Sequence, residues 1–476
     1  MPDFPFQKKT PLQLLPFLAG LYLLFLFLLL GNQSLPFPLN DSDFRAVNNA
    51  WGIPGERVPD SWVAEELDGW LVHFFPQKLY VPMQLSRRFS MALAGLGLVV
   101  WAWRALGAVP GLWMALLALG FMPLRLCGIS YASQAFGLAF YIWGCCLIFP
   151  VPWSKTGGVE NAAGGFLLGA SSLASPWGWL YTLAILLRIS YSRPFRSRLQ
   201  RGFWWGLVCG LLPGLIWLAD GGRGGRIDLG IHLETLVPGK ILTAFYLIRD
   251  GWGLPVFLLA LLGIRVAGSL KGSPLSWWAD LVWPLPVSFL LGYGDSISLA
   301  QAGPGILFLS LAGIQRAGKI FVNRTEQVVL PTFLVLLLAY HMFFAGLREV
   351  RDWQAYAREN QGLADLVREN VPPGASLALF SKSSLVALID PYRPESYLVG
   401  MVPTQEFNRG IEDLVRYLSQ RIERRGSLWM APKQFREVFA PDGEAILARL
   451  CRQFDCKSVI GQDQAELLEM NLPNSR

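Results

Sequence analysis

The stretch Pro11-Leu12-Gln13-Leu14-Leu15-Pro16-Phe17-Leu18-Ala19-Gly20-Leu21-Tyr22-Leu23-Leu24-Phe25-Leu26-Phe27-Leu28-Leu29-Leu30-Gly31 follows Lys8 and Lys9 and is polar only at Gln13. It is about as long as the hydrocarbon core of a bilayer requires. The apolar region of a cleaved signal peptide is shorter, and Asn32-Gln33-Ser34 makes a poor small-residue cleavage site. The stretch therefore reads as a first transmembrane span. Working outward, apolar runs recur at 89–107, 109–124, 132–152, 161–174, 177–190, 203–219, 252–267, 277–293, 298–315 and 328–346. They imply about eleven spans, although the pair around Ser175-Pro176-Trp177 also reads as one broken helix.

Charge follows the same division. Only 16% of the 476 residues are charged and 53% are apolar, whereas a soluble globular chain carries about a quarter charged residues. Residues 1–346 hold 24 Lys and Arg against 16 Asp and Glu, leaving 17 against 18 for residues 347–476. A polytopic α-helical membrane domain at 1–346 and a soluble domain at 347–476 are expected. With a cytoplasmic N-terminus, the inner segments collect Lys8, Lys9, Arg104, Lys155, Arg188, Arg193, Arg196, Arg198, Arg201, Arg265, Lys271, Arg316, Lys319 and Arg324. That is the positive-inside bias of a plasma-membrane protein. The net charge of +7 is accordingly a topology signal and not a nucleic-acid footprint. An odd number of spans puts the C-terminal domain outside the cytoplasm. Cys127, Cys145, Cys146 and Cys209 lie in apolar segments, while Cys451 and Cys456 lie in the soluble tail. The last two can pair in an oxidising compartment, and their spacing fits no zinc pattern.

Both long polar loops of the membrane domain, 32–88 and 220–251, fall on the outer side of this topology. The first opens with Asn40-Asp41-Ser42-Asp43-Phe44-Arg45, two carboxylates close to the membrane boundary. Acidic groups there are costly unless paired or functional, and such a carboxylate can act as general base on an incoming hydroxyl. Asp41 or Asp43 can equally cap a turn. Farther on, Trp62, Leu67, Trp70, Leu71, Phe74 and Phe75 recur at helical spacing opposite Glu65, Glu66 and Asp68, the pattern of an interfacial amphipathic helix. The second loop carries Asp220-Gly221-Gly222-Arg223-Gly224-Gly225-Arg226-Ile227-Asp228, then His232, Glu234 and Lys240. Its glycines let backbone approach a ligand, and its arginines offer planar forks to a phosphate or simply anchor at the interface. No Gly-Lys-Ser/Thr follows, so this is not a Walker loop. Arg87 and Arg88, at the outer end of the second span, either hold a lipid phosphate or snorkel. His73 and His232 could steady a leaving phosphate or join a carboxylate in holding a divalent cation. With only three histidines, no HExxH and no GxSxG, metalloprotease and serine-hydrolase chemistry lack their residues.

In the tail a charged helix runs from Arg348 to about Asn370 and stops at Val371-Pro372-Pro373-Gly374. Short apolar runs at 376–380, 397–402, 428–431 and 458–461 alternate with helical patterns at 411–424 and 444–454. A small α/β layer domain is expected.

The order of these features resembles the membrane-embedded GT-C glycosyltransferases, in particular the branch of protein O-mannosyltransferases and lipid A aminoarabinose transferases. Asp41-Ser42-Asp43 stands where that family has an acidic motif opening its long outer loop. Leu85-Ser86-Arg87-Arg88-Phe89-Ser90-Met91-Ala92-Leu93-Ala94-Gly95 looks like its Arg-x-x-Ser-x-x-x-Gly start of the second span. Residues 163–175 look like its glycine- and alanine-rich mid-chain span, and Ala300-Gln301-Ala302-Gly303-Pro304-Gly305 like its proline-containing late span. The resemblance implies a hexosyl- or pentosyltransferase that uses a polyprenyl-phosphate sugar at the outer face and passes it to a lipid, glycan or protein acceptor. It implies Asp43 or Asp41 as the base, and Arg223, Arg226, Lys240, His232 and Arg88 on the donor phosphate. A scaffold or a lipid- or glycan-binding protein would leave the two aspartates dispensable. A transporter would place ionisable residues mid-span, and Arg125, Asp280 and Asp295 are all expected near span ends.

Overall fold

The apolar runs fold as helices because a chain in hydrocarbon must satisfy its backbone hydrogen bonds within the segment. The computed structural model describes residues 80–121, 132–148, 158–174, 201–219, 253–269, 296–318, 325–372, 375–379, 398–401, 411–438, 442–461 and 465–473, with scattered positions at 18–25, 70–74, 124, 182–187 and 323. The stretches predicted as spans at 11–31, 177–190 and 277–293 lie largely outside these residues. Leu85–Leu106 and Glu326–Phe344 are long and apolar enough to cross a membrane, and Ala108–Gly120, Ala135–Ile148 and Leu254–Ile264 are shorter apolar helices. The chain divides into two compact units, Met1–Ser34 with Val58–Val350, and Leu35–Arg57 with Arg351–Arg476.

Within the first unit the described helices are α1 (Tyr80–Leu106), α2 (Ala108–Gly120), α3 (Ala132–Ile148), α4 (Gly158–Ala174), α5 (Arg201–Ala219), α6 (Leu254–Ser269), α7 (Ser296–Gly318) and the beginning of α8 (Glu326–Asn370). α1 turns into α2 at Gly107, whose φ of 105° lies where only glycine sits without strain. Polar side chains inside this bundle are bonded to neighbouring helices. Trp143 Nε1 donates to the Leu93 carbonyl at 2.9 Å, Trp113 Nε1 to Thr332 Oγ1 at 2.9 Å, Ser171 Oγ to the Gly137 carbonyl at 2.7 Å and Ser310 Oγ to the Val256 carbonyl at 2.9 Å. Where lipid replaces water, such bonds and close packing hold helices together. On α5 the large apolar side chains Leu212, Leu215 and Ile216 face outward, as do Phe333, Leu336, Leu337 and Tyr340 on α8. An apolar exterior is what a lipid-facing surface requires.

The glycine-rich sequence of α4 serves packing. Gly165 and Gly169 lie against backbone of α5 at Phe203 and Leu207, and Gly202, Gly206 and Gly210 of α5 lie against the carbonyls of Gly158, Ala162 and Phe166. The matched order, 158 with 202, 162 with 206 and 166 with 210, means that α4 and α5 run parallel. Between them, the described residues 182, 183 and 185–187 are helical, and Thr182 Oγ1 donates to the Leu168 carbonyl of α4 at 3.2 Å.

The final predicted span and the charged helix after it form one continuous helix, α8, of 45 residues. Its apolar part gives way to charge without a break because Leu, Ala, Arg, Glu and Gln are all strong helix formers. The change is one of surroundings and not of conformation.

The second unit contains strands β1 (Ser376–Leu379), β2 (Leu398–Met401), β3 (Ser427–Met430), β4 (Asp455–Ile460) and β5 (Glu466–Asn471), with helices α9 (Ile411–Arg425), α10 (Pro432–Val438) and α11 (Gly443–Gln453). The sheet order is β2-β1-β3-β5-β4. β1 is parallel to β2 and β3, and β5 is antiparallel to β3 and β4. Val415, Leu418 and Ile422 of α9, at helical spacing, join Ile446, Leu447 and Leu450 of α11 over Leu428, Met430, Leu468 and Met470 of the sheet. Cys451, near the end of α11, is joined by a disulfide to Cys456 of β4, with Cα atoms 5.4 Å apart. The edge strand β4 exposes Asp455, Lys457 and Ser458, the polar dressing that discourages further strand pairing.

Candidate functional site

The helix directions in the first unit sort the loops by end. Because α1 and α2 are joined by a tight turn at Gly107, the start of α1 and the finish of α2 share one end. Trp113 bonds Thr332 and Gly120 packs on Ala339, so α2 and α8 are parallel and α8 heads toward that same end. Gly253, where α6 begins, sits beside His341 and Met342 of α8, and Gly303 of α7 rests on Phe121 just past α2. At the opposite end, Arg104 of α1 pairs with Glu160 in the first turn of α4 at 3.1 Å, and Gly202 of α5 lies against Gly158. α4 and α5 thus begin at the Arg104 end and finish at the other. The loop 220–251, which leaves after α5 and returns at α6, has both its roots at the end that carries Arg87 and Arg88. Loop 32–88 runs into α1 at that end as well.

Arg88 is the candidate residue that the structure describes. Both arginines lie on the inward side of α1, with Arg87 only 1% and Arg88 5% exposed. Leu85 and Phe89, exposed to 48% and 47%, occupy the outward side. The Ser90 hydroxyl, one turn along, donates to the Ser86 carbonyl at 2.9 Å. Asp41, Asp43, Arg223, Arg226, His232 and Lys240 lie outside the described residues, as does His73. Of the amphipathic pattern in loop one, Trp70 and Phe74 are helical and exposed, their rings 5.5 Å apart in an edge-on contact. Among the described residues no group of three His, Cys, Asp or Glu side chains could hold a metal ion.

Two features of this end escaped the sequence reading. His341 beside Gly253 has no local signal, since the two are brought together only by helix packing. The inward orientation of both arginines did have one: Met91, Ala92, Ala94, Leu98 and Val99 continue the same buried side along α1 at helical spacing.

No family model matches the sequence, and no curated protein matches it. Solved structures match along nearly the whole chain. ArnT from Cupriavidus metallidurans, bound to undecaprenyl phosphate, is similar with a TM-score of 0.59 at 11% identity, covering 98% of this chain and 99% of that one. The oligosaccharyltransferase of Archaeoglobus fulgidus tethered with an acceptor peptide gives a TM-score of 0.55 at 11% identity, over 98% of this chain and 74% of that one. The chain shares the fold of these two proteins. The same archaeal protein, AglB, in complex with an inhibitory peptide and a dolichol-phosphate, gives 0.52 at 11% identity, over 96% and 74% of the two chains. In this chain the shared fold is mainly helical in the first unit, with the apolar outward surfaces of α5 and α8. At this identity the likeness concerns the path of the chain, and the chemistry must be argued from this protein's own residues.

Proposed function

We propose that the protein is an integral membrane glycosyltransferase that moves a sugar from a polyprenyl-phosphate donor to a lipid, glycan or protein acceptor at the outer face of the plasma membrane. The observation that carries the proposal is the gathering, on a GT-C fold, of both loop roots and of buried Arg88 at one end of the bundle. ArnT is bound to undecaprenyl phosphate and AglB to a dolichol-phosphate, which supports a lipid-linked donor here. A donor of this kind needs no nucleotide-binding motif, and none is present in the sequence.

Asp43 or Asp41 takes the proton of the acceptor hydroxyl as its oxygen bonds to the anomeric carbon. The bond from that carbon to the phosphate oxygen breaks, the configuration inverts, and polyprenyl phosphate leaves with the electron pair. Negative charge on a leaving phosphate near lipid is poorly solvated, so fixed cations stabilise the transition state. Arg223 and Arg226 are first in that role, followed by Lys240, His232 and Arg88. A divalent cation bound by a loop carboxylate and a histidine would assist in the same way. The Cys451–Cys456 disulfide supports an extracytoplasmic C-terminal domain, since such bonds persist in oxidising compartments.

Membranes bearing the wild type, Asp41→Asn or Asp43→Asn at matched expression, supplied with a radiolabelled pool of polyprenyl-phosphate sugars, test the proposal. Loss of a general base lowers transfer by roughly 10²- to 10⁴-fold, and the variant that shows this loss identifies the base. Transfer unchanged in both variants would leave a non-catalytic scaffold as the better account.

A further inference from the structure

The sheet of the second unit reverses its strand order at β1. From β1 the chain goes to β2 on one side, returns through α9 to β3 on the other, and leaves through α10 and α11 toward β4 and β5. In open α/β sheets a crevice forms outside the carboxyl ends of the strands that flank such a reversal, because the connections part there to opposite sides. Here those strands are β1 and β3, which run side by side with Leu377 opposite Trp429 and Ala378 opposite Met430. Only Ala431 separates β3 from α10, so the first residues of α10 stand at that carboxyl edge.

The contacts of α10 orient them. Phe435 lies in the core with side chains of α9 and α11, and Arg436 reaches Glu444 of α11 and Glu466 of β5. Successive residues of a helix are about 100° apart. Gln434 therefore lies roughly opposite Arg436, away from β5 and toward the β1 side of β3. Lys433, beside it, has its Nζ 2.6 Å from Glu359 Oε2 of α8. Gln434 is only 5% exposed, and among the described residues its Oε1 meets no hydrogen-bond donor. A buried amide oxygen without a donor is destabilising, and such atoms are few in folded proteins.

We infer that the carboxyl edge between β1 and β3 is a carbohydrate-binding site, in which Gln434 Oε1 accepts a hydrogen bond from a sugar hydroxyl and Lys433 and Glu359 bond the neighbouring hydroxyls. This narrows the acceptor proposed above to a glycan, and rests on that reading for the class of ligand. The three groups suit a neutral polyol. Ammonium and carboxylate cancel in charge, one donating and the other accepting, and the amide oxygen adds a second acceptor. Each sugar hydroxyl both donates and accepts, so a ring with adjacent hydroxyls can satisfy all three groups together. A phosphate or carboxylate would serve Lys433 but would bring acceptors against the Gln434 oxygen and Glu359. The Lys433 and Glu359 side chains are 51% and 32% exposed. An ion pair so open to water is weak, and an arriving sugar can part it to reach the amide behind.

The test uses the full-length protein in lipid nanodiscs with glucose, mannose, galactose and N-acetylglucosamine as probes and a serine-rich peptide for comparison. Binding is read by saturation-transfer NMR on the probe, and hydrogen exchange over 431–438 reports where it falls. At least one sugar should bind the wild type and slow exchange in that segment. Gln434→Met, close in shape but without the acceptor, should weaken that sugar roughly 3- to 10-fold. Its ligand-free unfolding midpoint should hold or rise, because an unsatisfied oxygen has been removed. Lys433→Gln should also weaken the sugar and leave the midpoint unchanged. Glu412→Gln, where α9 meets Arg449, should bind as the wild type does. If a sugar binds and both site variants bind it equally well, or if protection falls outside 431–438, the inference fails. Binding of the peptide and of no sugar would overturn the assignment to a glycan. A Gln434→Met protein whose midpoint falls while its folded fraction binds sugar normally would assign Gln434 to the fold and overturn the site. If no probe binds, the inference fails by itself, since transfer in the Asp41→Asn and Asp43→Asn membranes decides the proposed activity separately.

Discussion

Gly206 has no room for a side chain: a Cβ built there would overlap the carbonyl of Ala162 in the parallel neighbour α4. Backbone cannot step aside as a flexible side chain can, so Gly206→Ala forces α4 and α5 apart. The expected cost is about 1–3 kcal/mol, seen as a lower unfolding midpoint of the solubilised protein. Gly426 presents the opposite case, with nothing within 4 Å of a built Cβ but a φ of 80°. Gly426→Ala should cost about 1 kcal/mol through backbone strain alone, without disturbing the neighbouring packing, and the same melting measurement separates the two effects by whether a second, compensating cavity mutation rescues. The Arg104–Glu160 pair, with both side chains partly exposed, is a weaker contact. Glu160→Gln should shift stability by no more than about 1 kcal/mol. As for the candidate site, the sequence offers residue types: carboxylates after a first span, arginines between glycines, two arginines heading a second span, of which only Arg87 and Arg88 lie among the described residues. Their mutual arrangement is not legible in the sequence, because no spacing rule connects residues on different segments.

At the level of elements, local pattern and final structure agree where the pattern is decided by near neighbours. Helices predicted at 203–219 and 411–424 fold as Arg201–Ala219 and Ile411–Arg425, and short apolar runs at 376–380 and 428–431 become β1 and β3. β5 was missed because Glu466-Leu467-Leu468-Glu469-Met470-Asn471 is built of helix-forming residues without clean alternation. It is a strand because β3 and β4 pair with it on both sides. The disulfide ties α11 to β4 across a short loop, and a closure of that length is expected to stabilise by about 2 kcal/mol through the unfolded chain. In protein isolated from its native membrane, Cys451 and Cys456 should resist a thiol reagent until a reductant is added. Reaction of both tail cysteines without reductant would argue against an oxidising location for the second unit.

For the whole molecule, the directions of α1, α2, α4, α5 and α8 assign loop ends to two opposite ends of the bundle, and this can be checked without an assay of activity. In a Cys209→Ser background, a cysteine replacing Gly225 should react with a membrane-impermeant maleimide added outside intact cells. One replacing Lys319, between α7 and α8, should not. Labelling of both positions, or of Lys319 alone, would reverse or dismantle the topology. The sequence by itself determined that the chain is a helical membrane protein whose charge is concentrated toward its C-terminal end. It also determined most helices and several strands, because hydropathy and periodicity are properties of contiguous residues. Only the tertiary structure decided that α4 and α5 run parallel with backbone in contact, that the sheet has the order β2-β1-β3-β5-β4, that α8 is one helix through 45 residues, and that Arg87 and Arg88 turn inward. Those outcomes depend on which distant segments lie beside one another, and the energy of such contacts belongs to the pair and is written in neither segment alone.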